Sequence, residues 1–218
     1  MNLFGPIDIQ RAIQIIVILL IAIDIHELAH AVVADRLGDD TPRRRGEISL
    51  NPLTHMDQVG IVLLLLTSIS QYGFTYGRTH VNPANLKYGQ RGHALVAVAG
   101  PLSNLALALI GIVALRIHLS DPTNVFDQWT SFLWLWTQLN VLLFVINLFP
   151  IPPLDGFTVL GGFLSARQLY SLAPLQQWGP MIILLLFITE PNTHIISHAT
   201  GPIFNQIIPF ICNNNCTI

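Results

Sequence analysis

The feature that most constrains this chain is His26-Glu27-Leu28-Ala29-His30, an H-E-x-x-H pattern inside an almost continuously apolar stretch between Arg11 and Arg36. That stretch is long enough for one membrane crossing. At about 1.5 Å rise per residue, His26 and His30 fall one helical turn apart on the same face. Two imidazoles so spaced can grip one metal, with Glu27 beside them as a general base for water. The plain alternative is a polar cluster that joins helices by hydrogen bonds. Ionisable side chains at hydrocarbon depth are costly, however, and the position favours a functional site.

Composition supports the membrane reading. Of 218 residues, 52% are hydrophobic and only 10% are charged; the mean hydropathy is +0.57. Soluble domains carry about a quarter charged residues, so a polytopic membrane protein is expected. A net charge of −2 gives no reason to expect nucleic acid as a partner. The first apolar run holds the metal motif itself, so a cleaved signal is not expected there. Two cysteines, Cys212 and Cys216, lie in a polar C-terminal tip and do not decide the compartment.

Along the chain, the first helix is expected from near Ile9 to Leu37, ended by Gly38. Glu47 to Asn51 alternates polar and apolar residues, and Tyr72 to Asn82 is strand-like in composition; both are expected to be short strands. Backbone of that kind is tolerated at membrane depth only where protein or water satisfies it, which predicts a small sheet facing a cavity. Either strand could then offer an open edge to a substrate segment. Val59 to Ile69 is apolar but too short to span, as a re-entrant helix would be. Clear spans follow at Ala94 to Leu115 and Phe132 to Phe149, and Leu172 to Thr189 is a marginal one interrupted by Gly179-Pro180. The expected fold is an all-α bundle of about four to six transmembrane or re-entrant helices with a small membrane-associated β-hairpin or sheet. Residues 1–218 read as one integral-membrane domain, with core motifs in 15–165 and a C-terminal helix and interfacial tail in 166–218.

A catalytic zinc needs three protein ligands and an open position. His26 and His30 supply two. Among the apolar segments Asp155 is the best-placed carboxylate, following Pro150, Pro152 and Pro153 where the backbone must open. It is equally suited to cap the helix beginning there, and the residues alone leave both roles open. Asp24, two residues before His26, faces away from the pair. His55, His80 and His93 lie in connecting segments without metal spacing. Asn104 in the second span is either glue between helices or a polar group facing the site.

His-Glu-Leu-Ala-His in the first helix, Ala99-Gly100-Pro101-Leu102-Ser103-Asn104 in the middle, and Asn147 through Leu154-Asp155-Gly156 resemble the site-2 protease family of intramembrane zinc metalloproteases. Leu50-Asn51-Pro52 through Asp57 and Val81-Asn82-Pro83 resemble its compact members, which lack PDZ and CBS domains. Gly77-Arg78-Thr79-His80 departs from the more apolar, proline-containing run usual there. The resemblance implies that His26, His30 and Asp155 bind one Zn2+, that Glu27 is the catalytic glutamate, and that Asn147 lies near the substrate. Asn104 and Asn147 are then candidates to donate to the oxyanion. The expected activity is hydrolysis of a peptide bond within or near a transmembrane helix of another membrane protein. The alternatives are a membrane metal-binding or transport protein, or an inactive helix-binding homologue. The expected location is the cell membrane of a prokaryote. Seven of ten Lys/Arg residues lie between the first two spans, which puts the site toward the cytoplasm.

Overall fold

The computed structural model describes residues 8–70, 75–121 and 127–212. Three long apolar helices carry the fold: α1 (Ile9–Arg36), α4 (Gln90–His118) and α5 (Gln128–Asn147), each long and apolar enough to cross a membrane. Their starts follow local chemistry. Asp8 caps α1 by accepting from the Arg11 N–H at 3.0 Å, and Asp127 caps α5 by accepting from the Thr130 N–H at 2.7 Å. Helix α1 stops at Leu37 because Gly38 follows with φ of 106°, a left-handed conformation suited to glycine.

Helix α4 is the centre of the bundle and packs against α1, α5 and α6 (Asp155–Gly161). It runs antiparallel to both long neighbours. Against α1, Asn104 meets Ala22 and Val96 meets His30. Against α5, Asn104 meets Asn140, and the Trp136 indole N–H donates to Leu107 O at 2.8 Å. The outer surface remains apolar: Leu102, Leu109, Ile110 and Val113 are exposed on α4, as suits lipid contact.

The other helices complete the body: α2 (Thr41–Arg44), α3 (Gln58–Ser70), α7 (Ala166–Ser171), α8 (Ala173–Thr193) and α9 (Ile195–Cys212). The short apolar helix expected from Val59 to Ile69 is α3. Residues Ala173–Glu190 and Ile195–Ile211 are bent by 69° and make a fourth span if they cross together. The described residues therefore hold three or four spanning units, the low end of the expected range.

The expected β-hairpin or sheet is not formed: the described residues contain no strand. Tyr72 and Phe74 lie outside the described residues, as does Cys216. Around Glu47 to Asn51 the chain bends, with Ser49 Oγ accepting from the Asn51 N–H. Along 78–82 alternate backbone donors are taken by loop groups on one edge. Arg78 N–H donates to His55 O at 2.7 Å, His80 N–H to Glu47 Oε2 at 2.8 Å, and Asn82 N–H to Asp39 Oδ2 at 2.6 Å. Every second residue is thus held from one side, the alternation of an extended chain, with loop groups in place of a partner strand.

Candidate metal centre

His26, Glu27 and His30 each retain 7% exposure on the inner face of α1. The two rings meet edge to face with centroids 4.7 Å apart, and their Nε2 atoms lie 3.1 Å apart. What turns both Nε2 atoms to one point is the far side of each ring. His30 Nδ1 sits 2.8 Å from Val96 O, a carbonyl that can only accept, so Nδ1 carries the proton. His26 Nδ1 sits 2.6 Å from Asn104 Oδ1. The Asn104 amide cannot be turned round, because its nitrogen donates to Ala22 O at 3.3 Å and Asn140 Oδ1 at 3.4 Å. In the neutral imidazoles Nε2 is then the lone-pair nitrogen, and in both rings it faces inward.

Asp155 completes the group from the first residue of α6. Its Oδ2 is 3.0 Å from His26 Nε2 and 3.3 Å from His30 Nε2. The loop before it returns tightly on α5, and a Cβ on Gly156 would stand 2.2 Å from Leu148 O. Only glycine permits that approach. Asp155 is not the helix cap: Leu154 holds the cap position, no side-chain cap bond forms, and Oδ2 is buried with no hydrogen-bond partner. Of the two roles open to this residue, the fold excludes the cap and sets Oδ2 beside the two imidazoles.

Three ligand-capable atoms, two imidazole nitrogens and a carboxylate oxygen, thus converge within 4.8 Å. With the imidazoles neutral, such a cluster is self-repelling unless a cation sits in it. The space for one is present. A Cβ built on Gly100 of α4 would lie 2.4 Å from His30 Nε2 and 2.5 Å from His26 Nε2, so the absent side chain leaves the cradle open. Two imidazole nitrogens and one carboxylate oxygen, with a further side accessible, match the donor set of a catalytic zinc.

The group opens onto a cavity of about 650 Å³ that is also lined by Glu27, Asn147, His93, Arg78 and aliphatic side chains such as Leu139 and Ile183. Asn147 donates one amide hydrogen to Leu143 O at 2.9 Å and remains on the cavity wall. Asn104 is fully buried with both amide ends engaged, its Oδ1 on the His26 ring, and it also borders the cavity. Asp24 points away from the metal group, 3.7 Å from His55 Nε2. His80 pairs with Glu47. His93 lines the cavity without joining the three donors. Sequence reasoning missed Asn140, Val96 O and the space made by Gly100; of these only Gly100, inside the Ala-Gly-Pro-Leu-Ser-Asn motif, left a trace.

A helical membrane bundle with a three-donor metal site beside a buried glutamate defines a metallohydrolase-like membrane protein. The model described as Peptidase family M50 matches residues 116–188, which include Asp155. The chain is 33% identical over 202 residues to a Bacillus subtilis protein named "Putative zinc metalloprotease YwhC", an alignment covering 89% of this chain and 88% of the relative. It is 36% identical over 174 residues to "Putative zinc metalloprotease Rip2" of Mycolicibacterium smegmatis, covering 78% of this chain and 64% of that protein. The Mycobacterium tuberculosis protein of the same name is 33% identical over 173 residues, with the same coverage. No solved structure matches the chain. The chain belongs to peptidase family M50, the site-2 protease family, and is a multi-pass membrane protein.

Proposed function

We propose that this protein is an intramembrane zinc endopeptidase that cuts a peptide bond within or near a transmembrane helix of another membrane protein. One observation carries the reading: three ligand-capable atoms converge beside Glu27 at the wall of a cavity walled by the spanning helices. His26, His30 and Asp155 would hold one zinc ion. When bound, zinc supplies Lewis acidity, lowering the pKa of water toward neutrality and polarising a carbonyl. Glu27 accepts the proton of the attacking water and delivers it to the leaving amide nitrogen. The second amide hydrogen of Asn147 is available to the substrate carbonyl from the cavity wall. Asn104 keeps the His26 ring turned, as partners behind metal-bound histidines do.

The donors form a single group among the described residues, not a series along a path, which favours hydrolysis over transport. The reading extends to sidedness. Arg36 ends α1, Arg91 lies in the first turn of α4, and Arg43, Arg44, Arg45, Arg78 and Lys87 lie between the two helices, so this side of the cell membrane is the cytoplasmic one, and the metal group lies toward it. Cysteines introduced at 40 and 124 should label from opposite sides; labelling from one side would break the topology.

The test is purified protein in proteoliposomes with single-span substrates. Cleavage should require zinc, stop with a chelator, return on adding zinc, and fall by about 10³-fold in Glu27→Gln. Near-native turnover by Glu27→Gln would end the assignment.

A further inference from the structure

The cavity wall is mainly aliphatic, and among its described lining residues there is one lysine or arginine, Arg78. It sits in the segment that crosses the proposed general base. A Cβ on the neighbouring Gly77 would lie 2.6 Å from Glu27 Cγ, and the Thr79 hydroxyl donates to Glu27 O at 3.0 Å. The Arg78 backbone is pinned to His55 O, while its side chain is exposed. Its guanidinium makes no hydrogen bond or ion pair among the described residues. Other arginines nearby are engaged: Arg43 with Asp35, Arg44 with Asp40, Arg45 with Glu47. The carboxylate whose field Arg78 feels, Asp57, already accepts from the Gly60 N–H and the Tyr76 hydroxyl.

An apolar segment filling this cavity would strip water from the guanidinium, a cost removed only when an anion arrives with it. A planar fork of donors matches a carboxylate with two parallel bonds, and on an apolar peptide segment the group that offers this is Asp or Glu. We propose that Arg78 is a specificity-determining residue that binds an acidic side chain of the substrate. This rests on the endopeptidase reading and narrows its substrate class to apolar segments with an Asp or Glu close to the cut. Gly77 lies against Glu27 and an arginine side chain spans about two residues of extended chain, so the positions to scan are about four residues on either side of the scissile bond.

The test uses the zinc-loaded full chain in nanodiscs of neutral lipid and single-span peptides with Asp or Asn scanned across those positions. Binding is measured with Glu27→Gln, cleavage with the native protein. Asp at one register should bind about tenfold tighter than Asn. In an Arg78→Glu background the preference should move to Lys at that register, with zinc content unchanged. Equal binding of Asp and Asn peptides at every position would overturn the proposal, as would an Asp preference that survives Arg78→Glu. Zinc loss in both Arg78→Gln and Arg78→Glu would assign the residue to folding instead. An Arg78-dependent effect of anionic lipid without any peptide preference would assign it to headgroups, and also overturns it. Charge-selective binding without cleavage would sink the endopeptidase reading alone.

Discussion

His26 Nδ1 lies 2.6 Å from Asn104 Oδ1, and this bond decides which nitrogen of the ring faces Asp155. Remove the amide and the ring loses its tautomer and its orientation. Asn104→Ala should therefore weaken zinc binding about 10- to 100-fold while the helices remain. Competition titration against a zinc chelator measures it. Native affinity in the variant would mean that Asn104 only joins helices.

Asp155 belongs to the donor group and not to the capping of α6. Asp155→Ala should lose zinc sharply, since one of three protein ligands is gone. The metal-free stability should stay near that of the metal-free native protein, because no cap is lost. A loss of about 1 kcal/mol of stability with zinc retained would be the signature of a cap. Metal content and thermal unfolding, read together, separate the two.

Gly100 gives a sharper case. Alanine is the better helix former by about 0.5–1 kcal/mol, so local propensity says that Gly100→Ala strengthens α4. The new methyl would stand 2.4 and 2.5 Å from the two Nε2 atoms, in the space a metal needs. The expected outcome is a folded protein with unchanged helix content and little zinc. Full zinc occupancy in this variant would contradict the packing described here.

Glu47 offers a pH test of the segment crossing Glu27. Burial pushes its carboxyl up, but the His80 N–H, the Arg45 guanidinium and the His80 ring outweigh burial and hold it below the usual range. With the folded value lowered, the unfolded chain binds the proton first. The contribution is present above the unfolded pKa of about 4.3 and is lost as pH falls through the folded one. Thermal midpoints should be level from neutrality down to about pH 5 and then fall, and the fall should be shallower in Glu47→Gln. Parallel curves for the two proteins would show that the Glu47–His80 contact contributes nothing.

What the sequence determined by itself is local. The apolar run, the turn at Gly38 and the one-turn spacing of His26 and His30 follow from hydropathy and helix pitch, both properties of neighbouring residues. These were legible, as were α3, α4 and α5. The tertiary structure decided what depends on partners distant in the chain. Asp155 could cap a helix or face a metal, and only its placement against two imidazoles chose between them. Asn104 could join helices or face the site, and its contacts show it doing both, bridging to Ala22 and Asn140 while its Oδ1 meets the His26 ring. Alternation in Glu47 to Asn51 and strand-like composition in Tyr72 to Asn82 point to strands, yet His55, Glu47 and Asp39 take the N–H groups of Arg78, His80 and Asn82 in place of a partner strand. Periodicity specifies which way side chains alternate; it does not specify which group answers each N–H, and that is settled only when the chain folds back on itself.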